Sequence, residues 1–229
     1  DSLVAQGAVM ALENLTGHRE SYDAVADTAR SVVAEAWRTW FTGTSWEAIE
    51  GELIQRIETG DSDTVRHAAV ALGHTGSPSA RPALRNYVHK NESINPYPAW
   101  MADGHTIDNA RFNALSEINP RTLQAATRAI GYLGDTEAVP MLSELLVEHA
   151  KPKTGNLFLA EAAAEALGRM ATPEAELALI EAFAGLQEYT DYTIWYGDHP
   201  ALMSCHASPI HYFILEALDA LGSTRADAI

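Results

Sequence analysis

The chain has 229 residues, 47% of them hydrophobic and 20% charged, which is an ordinary globular composition and enough for one elongated domain with a continuous core. Its net charge of −16 argues against nucleic-acid binding, because phosphate recognition needs a basic surface. No apolar run approaches the roughly 18 residues that a membrane-spanning helix needs, and the single cysteine, Cys205, excludes an intrachain disulfide and a multi-cysteine metal site.

The pattern of the N-terminal part of the chain predicts a degenerate repeat followed by two helices. Residues 3–15 have a polar start, as the terminal repeat of a stacked array requires, and they match positions 60 residues further along. Amphipathic patterns then predict helices at residues 25–41 and 46–57. We interpret three tryptophans on these helices as packing residues, with an aromatic shelf for a ligand as the alternative: Trp37, Trp40 and Trp46.

Residues 63–88 carry the clearest pattern in the chain, a helix, a glycine turn and a second helix. The first helix is predicted by apolar residues at spacings i, i+3, i+4 and i+7, which are Val65, Ala68, Ala69 and Leu72. Gly76 allows the backbone angles that end a helix, and Ser77-Pro78 then predicts an N-cap followed by proline in the first turn. The small alanines let neighbouring helices approach closely, as stacked pairs require.

This pair of helices recurs along the chain. A shift of 58 residues places it on residues 121–146, a further shift of 37 reaches residues 157–183, and a last helix follows at 210–221. A single pair cannot bury both of its faces, so several copies must stack on one another. We count about five repeats and predict one solenoid domain over residues 1–229.

The first clear repeat resembles the HEAT-repeat family, in particular its bacterial branch typified by phycobilisome-lyase-like repeats. The residues that carry the resemblance are Asp63, Val65, Arg66, Ala69, Leu72, Gly73 and Gly76. The next copy departs from the family pattern, since Arg121 replaces the aspartate and Gln124 replaces the arginine. The resemblance implies an all-α fold, a HEAT-like alpha-solenoid of stacked antiparallel helix pairs with two long loop insertions.

The two insertions lie at roughly residues 89–119 and 185–208 and break the helical pattern. Loops on a rigid scaffold often carry function, and these loops are rich in aromatic residues. Because tryptophan and tyrosine dominate the energetics of protein interfaces, we predict that five of them anchor a partner: Tyr97, Trp100, Tyr192, Trp195 and Tyr196. The alternative is that the insertions cover exposed hydrophobic edges of the stack.

A cysteine and three histidines in and after the second insertion form a candidate metal site, comprising His199, Cys205, His206 and His211. Their spacing matches no compact ligand motif, which favours local hydrogen bonding as the role of the histidines. Cys205-His206 is similar to the end of the haem-attachment motif C-x-x-C-H, but Leu202 stands where the first cysteine should be. No cofactor is therefore expected, with a metal or a tetrapyrrole as open alternatives.

The sequence lacks the common catalytic motifs. It contains no G-x-S-x-G elbow, no P-loop and no dinucleotide fingerprint. It also lacks the His-Glu pairs with which deoxyhypusine hydroxylase, a HEAT-repeat enzyme, holds iron. Glu161 and Glu165 share one helix face, and a solvated acidic face explains them better than a general acid–base pair. We therefore predict no catalytic residues.

These features predict a non-enzymatic protein-binding, scaffold or assembly subunit. An array of helices offers an extended surface, and the acidic charge would speed association with a protein that has a basic face. The resemblance also implies an alternative, a tetrapyrrole-handling protein of the bilin-lyase or haem-associated type, and the histidines leave a metal-binding module open. The oligomeric state and the compartment stay open, as does whether the chain, which begins at Asp1, is processed or part of a longer protein.

Overall fold

The structure is a computed structural model that describes residues 2–18, 30–92, 120–151, 156–186, 191–196, 199–204 and 209–225. Within these residues the chain forms ten α-helices and one two-stranded sheet. The helices are α1 (Ser2–Thr16), α2 (Arg30–Thr42), α3 (Trp46–Thr59), α4 (Ser62–Thr75), α5 (Arg81–Asn91), α6 (Pro120–Tyr132), α7 (Val139–His149), α8 (Leu157–Met170), α9 (Pro173–Gly185) and α10 (Pro209–Leu221). None of these helices is both long and apolar enough to cross a membrane.

The helices stack in two layers. In the first layer α1, α4, α6, α8 and α10 pack side by side in chain order. In the second layer α3 packs on α4, α5 on α6, and both α7 and α9 on α8. The repeats that begin with α4, α6 and α8 therefore each contribute one helix to each layer. This confirms the prediction of an all-α, HEAT-like solenoid.

The hydrophobic core lies between the two layers, and its positions repeat with the sequence. The first-layer residues Leu72, Ile130, Leu167 and Leu218 occupy one place in successive repeats and are completely buried. The second-layer residues Leu84, Leu142 and Leu179 share another place and are also completely buried. Because these copies bury the same two faces, the 3.6-residue periodicity of their helices was enough to identify this part of the core from the sequence. The predicted first repeat differs, since Leu12, 60 residues before Leu72, is 40% exposed.

Glycines let neighbouring first-layer helices approach closely. A Cβ atom built on Gly131 would lie 2.5 Å from the Cα of Ala166, and one on Gly168 would lie 2.9 Å from the Cα of Ala217. Gly73 makes the equivalent approach to Ala129, with a Cβ–Cα distance of 3.0 Å. Non-bonded carbon atoms pack best at about 3.5–4.0 Å. A larger residue at these glycines would therefore push two helices apart.

Each first-layer helix from α4 onward ends with a residue in the left-handed conformation. In three repeats this residue is a glycine, with φ of 74° at Gly76, 56° at Gly134 and 67° at Gly222. In the repeat of α8 the same position holds Ala171, with φ of 51°. A side chain in this region crowds the following carbonyl oxygen, whereas glycine avoids the strain. Ala171 is therefore strained in a way that its counterparts are not.

Replacing Ala171 by glycine is expected to stabilise the fold. Relief of the left-handed strain favours the variant, and the greater entropy of glycine in the unfolded chain offsets part of the gain, which leaves about 0.5–1 kcal/mol. Urea denaturation followed by circular dichroism measures the change. The reverse substitution, Gly134→Ala, is the matched control and is expected to lose about 1 kcal/mol. A destabilised Ala171→Gly variant would contradict the explanation.

The residue after each turn glycine connects its repeat to the preceding second-layer helix. The connected pairs are Ser77 with Glu50, Asp135 with Arg85, and Ser223 with Glu176. Ser77 and Pro78 occupy the predicted N-cap and first-turn positions, but of a short 3₁₀ turn, and the Ser77 hydroxyl contacts Glu50 instead of making a capping bond. The equivalent Thr172 does cap its helix, as predicted for the repeat, by accepting the Ala175 N–H at 3.2 Å.

The N-terminal tryptophans differ in their environments. Trp37 is buried and Trp40 is partly buried, and the His18 ring stacks on Trp40 at 4.1 Å between centroids. These two residues pack as predicted. Trp46 does not, because it is the first residue of α3 and is 40% exposed.

The second insertion contains a β-hairpin that the sequence analysis did not predict. Strand β1 (Asp191–Tyr196) pairs antiparallel with β2 (His199–Ser204). A loop was predicted because the insertion has no helical stripe, yet Tyr192–Tyr196 is a run of residues that favour strands. The first insertion begins later than predicted, since α5 continues to Asn91, and residues 93–119 lie outside the described part of the chain.

Candidate functional site

The residues predicted to anchor a partner fall into two groups. Tyr97 and Trp100 lie outside the described residues. The others, Tyr192, Trp195 and Tyr196, lie on β1, where Trp195 pairs with Pro200 and Tyr196 pairs with His199 across the hairpin. Their proposed role as anchors remains a prediction.

The predicted metal ligands are also divided. His199 is on β2, and Cys205 and His206 lie outside the described residues. His211 is on α10, with its Nε2 3.3 Å from the carbonyl oxygen of Phe183 and its ring against the Phe183 ring. Among the residues that the structure places, no group of three or more His, Cys, Asp or Glu side chains is arranged to hold a metal ion. The local contacts of His211 fit the hydrogen-bonding role.

The outer face of the first layer carries a connected row of polar and aromatic side chains, which we call the ladder: His74, Tyr132, Arg169, Glu165, Arg128 and Glu161. The rings of His74 and Tyr132 are 4.9 Å apart. The Arg169 guanidinium lies 4.2 Å from the centre of the Tyr132 ring, a cation–π contact. Arg169 also donates to Glu165 at 3.0 Å. The ladder thereby links α4, α6 and α8.

Arg128 on α6 joins the ladder through two carboxylates of α8. Its Nε donates to Glu165 at 2.6 Å, and its Nη2 donates to Glu161 at 2.8 Å. These three side chains are only 25–32% exposed. The prediction that Glu161 and Glu165 form a solvated acidic face is therefore wrong: they bind an arginine of the neighbouring repeat. The spacing offered a signal, because Arg128 and Glu165 occupy the same repeat position 37 residues apart.

The two carboxylates titrate differently. Burial raises the pKa of Glu161, with the like charges of Glu165 and Glu216 adding to the effect and Arg128 opposing it. Burial also acts to raise the pKa of Glu165, but the hydrogen bonds from Arg128 and Arg169 outweigh burial and lower it. Burial is thus the main reason why the pKa of Glu161 is raised although Arg128 binds it.

A groove of about 520 Å³ lies between α8 and α10, where the ladder ends. Its lining contains three carboxylates and one guanidinium beside two aromatic rings: Glu161, Glu165, Glu216, Arg169, Tyr132 and Phe213. Small residues line the rest, including Ala220, which occupies the repeat position of Tyr132 and Arg169. We call this space the acidic groove.

Glu216 continues the repeat position of Arg128 and Glu165 onto α10. Its carboxylate bonds to the Tyr212 hydroxyl and raises the pKa of that phenol. Within the described chain, no lysine, arginine or histidine forms a salt bridge with Glu216. Among the described residues, Glu216 on α10 thus lacks an arginine partner like the one that Arg128 provides for Glu165 on α8.

A smaller groove of about 320 Å³ lies at the other end of the ladder, between α4 and α6. It is lined by Arg66, Arg121, Arg128, His74 and Tyr132, so its polar lining is basic. Tyr132 lines both grooves. One face of the first layer therefore changes from basic at α4 to acidic at α10.

Residues 109–188 match the family model for HEAT repeats. This range includes α6, α7, α8 and α9, and so most of the ladder. HEAT repeats generally mediate protein–protein interaction or scaffolding. No curated protein and no solved structure matches the chain.

Proposed function

We propose that this chain, whose repeats are HEAT repeats, is a non-enzymatic binding or assembly subunit that holds a protein partner through the acidic groove. The observation that supports this most directly is Glu216, which forms no salt bridge within the described chain and lies in the groove beside the rings of Tyr132 and Phe213. The other two carboxylates of the groove, Glu161 and Glu165, are held by Arg128, and Glu165 also by Arg169. The partner is a protein segment that presents arginine or lysine. Charge complementarity of this kind speeds association and selects the partner.

The chain contains its own template for the interaction. Arg128 is held by two carboxylates one helical turn apart, and Arg169 lies over the Tyr132 ring. In the acidic groove Glu216 and the Phe213 ring provide the same two kinds of contact. A partner arginine in the groove would therefore repeat the arrangement that already joins α6 to α8. Charge-assisted bonds of this type are about twice as strong as neutral ones.

The insertions supply the second part of the proposal. The β-hairpin lies in the chain between α9 and α10, and α10 forms one wall of the acidic groove. We propose that Tyr192, Trp195 and Tyr196 of the hairpin, together with Tyr97 and Trp100 of the first insertion, are the apolar anchors of the interface. Tryptophan and tyrosine are enriched in binding hot spots.

Two sets of helical peptides test the proposal directly. They differ only in carrying arginine or glutamate at the exposed positions, and their affinities for the purified chain are measured by calorimetry at low and high salt. Binding of the arginine peptides that weakens as salt rises would support the proposal. Equal binding of both sets would contradict it. A native pull-down from the source cells then identifies the partner, and an absorption spectrum of that sample tests the tetrapyrrole alternative.

Substitution of Glu216 by lysine is expected to weaken binding of an arginine peptide about tenfold, a loss of about 1.4 kcal/mol, because it replaces an attraction by a repulsion inside the groove. Glu181 on α9 is exposed and does not line the groove, so Glu181→Lys makes the same change in net charge and is the matched control. If both variants lose affinity equally, only the overall charge matters and the groove is not the site.

A further inference from the structure

The end of one helix and the start of the next meet at His149, a buried residue at the end of α7. Its Nδ1 accepts the backbone N–H of Asn156 at 3.3 Å, just before α8 begins. Asn156 is itself the N-cap of α8, because its side-chain oxygen accepts the Phe158 N–H at 3.1 Å. One imidazole thus connects the end of α7 to the start of α8.

The bonds of His149 require the neutral ring. A neutral imidazole has one N–H donor and one nitrogen acceptor, and here the acceptor is Nδ1, which faces the Asn156 N–H. The donor of the neutral ring is therefore Nε2. Protonation would convert Nδ1 into a second donor directed at another N–H. The bond to Asn156 would be lost.

We propose that His149 is an acid-sensitive joint, which holds the end of α7 and the start of α8 together while its ring is neutral and releases the start of α8 when the ring takes up a proton. This inference is independent of the proposed function, since it concerns contacts between repeats and requires no partner. The joint also lies at the N-terminal end of α8, the helix that carries Glu161 and Glu165 of the ladder.

The charged groups near the joint that the structure describes lie on α7, on the turn after it and at the end of α5. On α7 and the turn after it, Glu148 and Lys151 form an ion pair with each other. At the end of α5, the Glu92 carboxylate lies 3.1 Å from the exposed His89 ring. Burial lowers the pKa of His149, and Lys151 adds to this effect while Glu148 and the Glu92 backbone oppose it.

The lowered pKa of His149 determines how the stability of the folded chain changes with pH. The folded chain keeps His149 neutral at pH values where an exposed histidine, with its ordinary pKa of 6.5, is already charged. The unfolded chain therefore binds more protons, so the stabilisation from the joint is complete above about pH 6.5 and is lost as the pH falls below it. A charged His149 is incompatible with the bond to Asn156.

Hydrogen exchange measured by NMR tests the joint. After correction for intrinsic rates, protection of the Asn156 amide is expected to fall about tenfold between pH 7.5 and pH 5.5, with little change in the centre of α8. His149→Gln retains a donor and an acceptor but does not titrate, so this loss should disappear. The control is His89→Gln, which removes the neighbouring histidine and should leave the loss intact. Retention of the pH dependence in His149→Gln would overturn the proposal.

The ¹⁵N shifts of the His149 ring provide a test that needs no variant. A ring that is neutral at pH 7.5 with the proton on Nε2, and that titrates together with the loss of Asn156 protection, is the expected result. A ring already charged at pH 7.5, or one that protonates while Asn156 stays protected, would refute the joint. This measurement remains decisive if His149→Gln fails to fold.

Discussion

Replacing Arg85 by alanine is expected to lower the free energy of unfolding by about 3 kcal/mol, because it leaves a buried carboxylate without its cation. Asp135 follows the turn after α6, and its side chain is only 2% exposed. Both of its oxygens accept bonds from one Nη of Arg85, at 2.6 and 2.8 Å. Removing the guanidinium leaves the carboxylate in a site from which water is largely excluded. Urea denaturation measures the loss.

Two variants separate the buried pair from the exposed one beside it. Arg85 also contacts Glu137, 2.9 Å away, whose side chain is 78% exposed. Glu137→Gln is therefore expected to change stability by less than about 0.5 kcal/mol. Asp135→Asn in the Arg85→Ala background should recover part of the loss, since a neutral amide is easier to bury than a carboxylate. No recovery in the double variant would show that the buried charge is not the cause.

Gly131→Ala is expected to cost about 2 kcal/mol even though alanine favours helices more than glycine does. The added Cβ would lie 2.5 Å from the Cα and 2.8 Å from the Cβ of Ala166 on α8. Both contacts are with atoms that cannot move by a side-chain rotation, so α6 and α8 must separate. Overpacking of this kind costs about 1–3 kcal/mol or more, and the intrinsic helix preference returns about 1 kcal/mol.

Gly51 on α3 is the matched control for this substitution. It is a helical glycine on an exposed face, and a Cβ built on it has no atom within 4 Å. Gly51→Ala is therefore expected to stabilise the chain by about 0.5–1 kcal/mol. The two substitutions are chemically identical, so opposite signs in thermal denaturation would isolate the effect of helix contact. Stabilisation by Gly131→Ala would contradict the close packing of the first layer.

The two costly substitutions act at the same type of contact, the junction between consecutive repeats. Arg85 joins a second-layer helix to the following turn, and Gly131 sets the distance between two first-layer helices. In a stacked array each repeat contacts only its neighbours, so a change in the spacing of two repeats also changes the surface that spans them. The ladder and the acidic groove lie across such junctions, so their shape depends on these buried contacts.

The amino-acid sequence alone determined the repeat architecture and most of the core. Periodic leucines and alanines identified the buried faces of α4, α6 and α8. Residues on one face of a helix recur every 3.6 residues whatever the helix packs against, so this pattern can be recognised from the sequence alone. Gly76 and Gly134 marked helix ends for an equally local reason, since a positive φ is a property of one residue. The equivalent position in the repeat of α8 holds Ala171 instead of glycine, so no such local signal marks the end of that helix.

Only the tertiary structure decided which side chains meet between repeats. Two ion pairs join residues that are far apart in the sequence: 37 residues separate Arg128 from Glu165, and 50 separate Arg85 from Asp135. Whether such residues meet depends on the offset between neighbouring helices, which the spacing of side chains within one helix does not determine. The same offset brings Glu161 and Glu165, which were predicted to be solvated, into contact with Arg128, and it leaves a groove beside Ala220. His149 gave no signal for a similar reason, because its bond to Asn156 joins the end of α7 to the start of α8 and depends on how these two helices pack.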